Sequence, residues 1–93
     1  MNTFGFLSLG LIGGSIALAI KQIQPGAKII AYARRQETLD EALTAGAIDE
    51  GTTVIDERFH DCDLIFLCAP VSVNNRLLEQ LGPIISEQTM ITD

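Results

Sequence analysis

The stretch Ser8-Leu-Gly10-Leu-Ile-Gly13-Gly14-Ser15 holds the residues best suited to chemistry in this chain. It lies between an apolar run, Thr3 to Leu9, and a segment with Ile12, Ile16, Ile20 and Ile23 at helical spacing. Glycines spaced G-x-G-x-x-G between a strand and a helix let the backbone approach a dinucleotide's pyrophosphate. Gly10 takes the second of these positions, where the phosphates come closest. Gly13 takes the third, where the helix packs close to the strand. The helix N-terminus presents free N–H groups and a partial positive charge, and the amides at Leu11 and Ile12 are the expected donors. Ser15 either adds a hydroxyl or is only an early helix residue. Ser8 holds the first position. If that position needs a positive φ, serine is strained there; if the turn accepts a small residue, the cost is small. A weaker but not abolished site is expected. The bland alternative is a strand-to-helix turn with no ligand. The apolar strand before it, the apolar helix after it and a second strand at the right distance favour the dinucleotide.

The end of that second strand sets the cofactor. An NAD site usually places Asp or Glu about 20 residues past the last glycine, to bond the ribose 2′-OH. Counting from Gly13 reaches Ala33, with Arg34 and Arg35 next. A guanidinium suits a 2′-phosphate, which an acid would repel. NADP is therefore the preferred cofactor and NAD the alternative. Arg34 is the expected phosphate ligand; Arg35 either stacks on the adenine or points to solvent. Two solvated arginines after a strand are the ordinary case, and the missing acid tilts the reading away from it.

A further strand, Asp63 to Ala69, ends at Pro70. Cys68, Ala69 and Pro70 fall at the carboxyl edge of the sheet, where ligands bind in such folds. Ala69 and Pro70 leave room for the nicotinamide ribose. Cys68 reads as a small buried residue rather than a nucleophile. His60 precedes the strand, at the amino end, and reads as a surface histidine. The pairs Asp49-Glu50 and Asp56-Glu57 read as solvated charge. With one His and two Cys in the chain, no metal site is expected. No residue of the chain is assigned a catalytic role.

These positions need a scaffold, and apolar runs alternate with helical periods. Ala27 to Ala33 is a second strand after the Pro25-Gly26 stop. Leu39, Ala42 and Leu43 mark a second helix, closed by Gly46. Ala47-Ile48 is a short third strand, and Glu50 to Asp61 is a connection. Leu77, Leu78 and Leu81 suit a third helix before Gly82-Pro83, and Thr89 to Asp93 is a last strand. The pattern predicts an α/β fold: a Rossmann-type parallel sheet with helices on both faces and strand order 3-2-1-4-5.

Composition agrees. The chain has 93 residues, enough for one domain, and 47% are hydrophobic, enough for a core. A net charge of −6 argues against nucleic acid or an anionic membrane as partner. The apolar run Leu9 to Ile20 has no Lys or Arg before it and is too short to span a bilayer. Cys62 adjoins and Cys68 lies in one strand, which puts them roughly 20 Å apart and too far for a disulfide. Unpaired thiols suggest a reducing, cytoplasmic compartment.

Gly10-Leu-Ile-Gly-Gly-Ser15, Ala45-Gly-Ala-Ile-Asp49, Asp63-Leu-Ile-Phe-Leu-Cys-Ala-Pro-Val71 and Ile91-Thr-Asp93 together resemble the N-terminal nucleotide-binding domain of the prephenate and arogenate dehydrogenase family. The likeness runs over essentially the whole chain. It implies oxidative decarboxylation of prephenate to 4-hydroxyphenylpyruvate, in tyrosine biosynthesis. It also implies that the family's substrate-handling serine, histidine and arginine, and its helical dimerisation domain, come after Asp93. Residues 1–93 are thus expected to be an incomplete dinucleotide-binding domain, inactive alone, of a protein that is homodimeric at full length and acts on a small molecule. Some apolar surface should then be exposed. Ser8 and Ala33 depart from the family pattern. Competing readings are another NADP-dependent reductase of hydroxyacid or imine type, a nucleotide-sensing module without turnover, and a degenerate fragment that binds nothing.

Overall fold

The computed structural model describes residues 2–8, 10–68, 71–85 and 89–92, with the backbone alone for 10–12 and 71–75. Five strands form one parallel sheet: β1 (Thr3–Leu7), β2 (Lys28–Tyr32), β3 (Glu50–Thr52), β4 (Leu64–Leu67) and β5 (Met90–Thr92). Their order is β3-β2-β1-β4-β5, the expected one. Helices α1 (Gly10–Ile23), α2 (Gln36–Thr44) and α3 (Val71–Leu81) connect them, and a short 3-10 turn, Glu57–Phe59, precedes β4.

The central strand β1 is covered on both faces, which is why its apolar residues run on rather than alternate. Phe4 and Phe6 join Ile29, Ala31, Ala17 of α1 and Leu39 of α2 in one buried layer. Leu7 joins Ile30, Ile65, Leu67, and Leu77 and Leu81 of α3 in the other. Phe6 is paired in register with Ala31 and Phe66, and the Phe6 and Phe66 rings stack with centroids 4.7 Å apart. Gly5 faces Phe59 and Cys62 so closely that a Cβ there would lie 3.0 Å from each. Gly46 closes α2 at φ 76°, and Ala47 N–H donates to Ala42 O at 2.9 Å, which satisfies an orphan carbonyl of the last turn.

Several expectations are corrected. The third strand is Glu50–Thr52, not Ala47-Ile48. Ala47 and Ile48 are buried in the first layer, and the ladder begins only when Asp49 N–H donates to Ile29 O. The supposed connection from Glu50 to Asp61 therefore holds an edge strand and a turn whose Phe59 is fully buried. β1 stops at Leu7 and β4 at Leu67, each shorter than its apolar run. Ile23 is 82% exposed. A helix of 14 residues reaches about 21 Å, longer than a five-residue strand at about 17 Å, so the last turn of α1 overhangs the sheet. Leu43 is also exposed, and Leu39 and Ala42 carry the inner face of α2. Leu18, Val54, Met90 and Ile91 are further exposed apolar residues.

Three of the four acids read as solvated charge, Asp49, Glu50 and Asp56, are tied into the amino edge of the sheet, as is Asp63, while Glu57 is exposed. Asp49 accepts from Ile29 N–H at 2.7 Å and pairs with Lys21 at 2.6 Å. Burial pushes the Asp49 carboxyl up, but the Lys21 and Ile29 hydrogen bonds outweigh it and hold it below its ordinary range. Glu50 pairs with Arg58 at 2.8 Å. Asp56 accepts from Arg58 N–H at 3.0 Å, capping the 3-10 turn. Asp63 accepts from both Asn2 N–H and Thr3 N–H, at 2.8 and 3.0 Å.

Candidate nucleotide-binding site

At the opposite, carboxyl edge the chain leaves β1 and turns into α1. Ser8 makes that turn at φ 66°, the only non-glycine with positive φ among the described residues. Its N–H donates to Tyr32 O at 2.9 Å, which fastens the end of β1 to the end of β2. Gly10 opens α1, and the backbone of Leu11 and Ile12 lies in its first turn. N–H groups there have no acceptor within the helix, and the first turn carries no acid. Gly13, in the first turn of α1, is buried. A Cβ on Gly14 would meet nothing within 4 Å, so packing does not demand that glycine.

Ala33 follows β2, 5% exposed, and its N–H donates to Thr52 O at 3.1 Å. No carboxylate stands at this position. Arg34 comes next and is exposed. It lines a cleft of about 410 Å³ together with Tyr32 and with Arg76, Leu77 and Gln80 of α3. Arg35 is not among the residues lining this cleft. It is the N-cap of α2, with extended backbone and no side-chain cap bond. Sequence reasoning missed Arg76, Tyr32 and Gln80. The one signal for Arg76 was its place just before the buried Leu77, on the helix that follows β4.

Cys68 follows β4 and is half-buried, with its N–H donating to Leu7 O at 3.1 Å. Burial pushes its thiol up, which keeps it protonated and a poor nucleophile. Ala69 and Pro70 lie outside the described residues. His60 is exposed at the amino edge beside Asp61. Among the described residues no cluster of His, Cys, Asp or Glu could hold a metal ion, and no helix is long and apolar enough to cross a membrane.

Charge is divided between the two edges. Lys21, Lys28 and Arg58 all pair with carboxylates at the amino edge. Among the described residues Arg34, Arg35 and Arg76 have no ion-pair partner. Arg34 and Arg76 share a cleft that no acid lines among the described residues, in a chain with 12 acidic and 6 basic residues. An anion is the ligand this arrangement suits.

A parallel sheet in this order, helices on both faces and a glycine turn at the carboxyl end of β1 define a Rossmann-type nucleotide-binding domain. The chain belongs to the prephenate dehydrogenase nucleotide-binding domain family, which it matches over residues 16–93. It is 36% identical to a prephenate dehydrogenase of Bacillus subtilis (strain 168), over 99% of this chain and 25% of that protein. A crystal structure of prephenate dehydrogenase from A. aeolicus, in complex with hydroxyphenyl propionate and NAD⁺, superposes with a TM-score of 0.92 at 33% identity, covering all of this chain and 33% of that one. Synechocystis arogenate dehydrogenase superposes at 0.88 and 31% identity, over 98% of this chain and 32% of that one. The chain spans about a quarter of the length of the curated relatives it matches.

Proposed function

We propose that residues 1–93 are a dinucleotide-binding domain that serves the oxidative decarboxylation of prephenate to 4-hydroxyphenylpyruvate, and that its preferred cofactor is NADP, with NAD the alternative. The observation that carries the cofactor choice is Arg34, without a carboxylate partner among the described residues, next to an alanine where an NAD site keeps its acid. The relatives named above support the reaction.

Each part of the site has a separate task. The N–H groups around Gly10, Leu11 and Ile12 receive the pyrophosphate, with Ser8 setting the turn and Gly13 the close packing. Arg34 takes the 2′-phosphate, beside the small Ala33. Arg35, at the N-cap of α2, stacks on the adenine or faces solvent. Cys68, Ala69 and Pro70 border the nicotinamide ribose. When bound, the nicotinamide supplies the two-electron acceptor that the reaction requires. No residue at this edge is assigned a general acid or base role, and His60 lies at the amino edge beside Asp61. The domain alone is therefore inactive and needs the substrate-bearing part of its protein. We assign that protein a homodimeric state, a small-molecule substrate and a cytoplasmic location; the free Cys62 and Cys68 support the last.

Calorimetric titration of the chain with NADP⁺ and with NAD⁺ tests the reading. Tighter NADP⁺ binding is expected, with the preference lost in Arg34→Ala. Equal binding of both by the unsubstituted chain refutes the NADP preference; binding of neither refutes the dinucleotide site.

A further inference from the structure

We propose that Arg76, far from the glycine turn in sequence, is a second specificity-determining residue for a dinucleotide carrying a 2′-phosphate. The inference rests on the dinucleotide reading above and deepens it. Arg34 and Arg76 line one cleft from two elements: Arg34 from the turn after β2, Arg76 from α3. Among the described residues Tyr32, Leu77 and Gln80 line it too. The volume, about 410 Å³, falls in the range of small-molecule sites. The adenosine end of a dinucleotide is an occupant of suitable size and polarity.

Charge makes the case specific. Among the described residues, every other cation except Arg35 has a carboxylate partner, at the far edge of the sheet. Arg35, the sequence neighbour of Arg34, lies outside this lining, so the second cation comes from α3. Two guanidiniums that share a cleft repel each other unless an anion lies between them. A phosphate monoester, close to doubly charged at neutral pH, fits two planar forks where the hydroxyl of NAD offers one neutral acceptor. Arg76 therefore discriminates between the cofactors and does more than add general affinity.

The test compares NADP⁺ and NAD⁺ affinities of the chain and of its Arg76→Gln and Arg76→Lys variants, at low and at raised salt. NADP⁺ binding should weaken about tenfold or more in Arg76→Gln, the usual size for losing a charge-assisted hydrogen bond, while NAD⁺ binding is unchanged. Arg76→Lys should restore part of the loss. The salt dependence of NADP⁺ binding should be shallower in Arg76→Gln than in the unsubstituted chain. Equal weakening of both cofactors would assign Arg76 a merely structural role and overturn the inference, as would an unchanged NADP⁺ affinity. Failure of the unsubstituted chain to bind either cofactor would instead overturn the dinucleotide reading, and this inference with it.

Discussion

Ser8 donates its backbone N–H to Tyr32 O at 2.9 Å while holding φ at 66°, so one residue both ties β1 to β2 and carries the strain of the turn. A side chain in the left-handed region costs about 1–2 kcal/mol, and glycine avoids most of that. Glycine also loses more chain entropy on folding, about 0.5–1 kcal/mol. Ser8→Gly should therefore stabilise the fold by about 0.5 kcal/mol, and Ser8→Val, with a branched Cβ, should destabilise it by about 1–2 kcal/mol. Urea unfolding of the two variants checks both signs.

Gly5 is required by packing, because a methyl group there meets the Phe59 ring and the Cys62 sulfur at 3.0 Å. Gly5→Ala should cost about 1–3 kcal/mol, the usual penalty for overpacking a core. Cys62→Ala removes one of the three tight contacts, the others being Phe59 and Ile65. The double variant should lose less stability than the sum of the single ones, which a double-mutant cycle of unfolding free energies measures directly.

The amino edge predicts the response to acid. The N–H groups of Thr3 and Asn2 hold the Asp63 carboxyl below its ordinary range. A group with a lowered folded pKa contributes stability above its unfolded value, about 3.9, and loses that contribution as pH falls through the lower folded value. Asp49 has the same sign. Denaturant midpoints should thus be flat from neutrality to the ordinary carboxylate range and fall below it. Asp63→Asn keeps an acceptor for both N–H groups but cannot titrate, so its acid limb should be shallower. An unchanged limb would remove Asp63 from the account.

Neither thiol should be reactive in the folded chain. Burial, and then the neighbouring Asp63 charge, push Cys62 up to about 12, and burial raises Cys68 as well. Alkylation near neutral pH should label Cys68 slowly, Cys62 more slowly still, and both quickly once the chain is unfolded. Fast labelling of folded Cys62 would show that its layer opens readily.

Much of this architecture is legible in the sequence, for identifiable reasons. β1, β2 and β4 are covered on both faces, so past their first residues, Thr3 in β1 and Lys28 in β2, their composition is mostly apolar and easily seen. β3 is an edge strand, Glu-Gly-Thr, with only Thr52 buried, and nothing in its composition separates it from a loop. Phe59 is flanked by charged and polar residues, Asp56 to Arg58 and His60 to Asp61, and its burial depends on Gly5 of a distant strand. The glycine turn and Arg34 follow from local spacing along the chain. Arg76 does not: its place in the same cleft as Arg34 exists only once α3 has packed against the second face. Asp49 reads as solvated charge for the same reason, since it bonds to the Ile29 N–H of a strand remote in sequence.

The central claim is that a dinucleotide binds at the carboxyl edge, between the α1 N-terminus and the cleft shared by β2 and α3. Amide and arginine side-chain resonances of the ¹⁵N-labelled chain, followed during NADP⁺ titration, test it most directly. The account predicts that the largest shifts fall on the amides of Gly10 to Gly13 and on the side chains of Arg34 and Arg76, with little change at Lys21, Asp49 and Asp63. Shifts centred on the amino edge, or none at saturating NADP⁺, would contradict it.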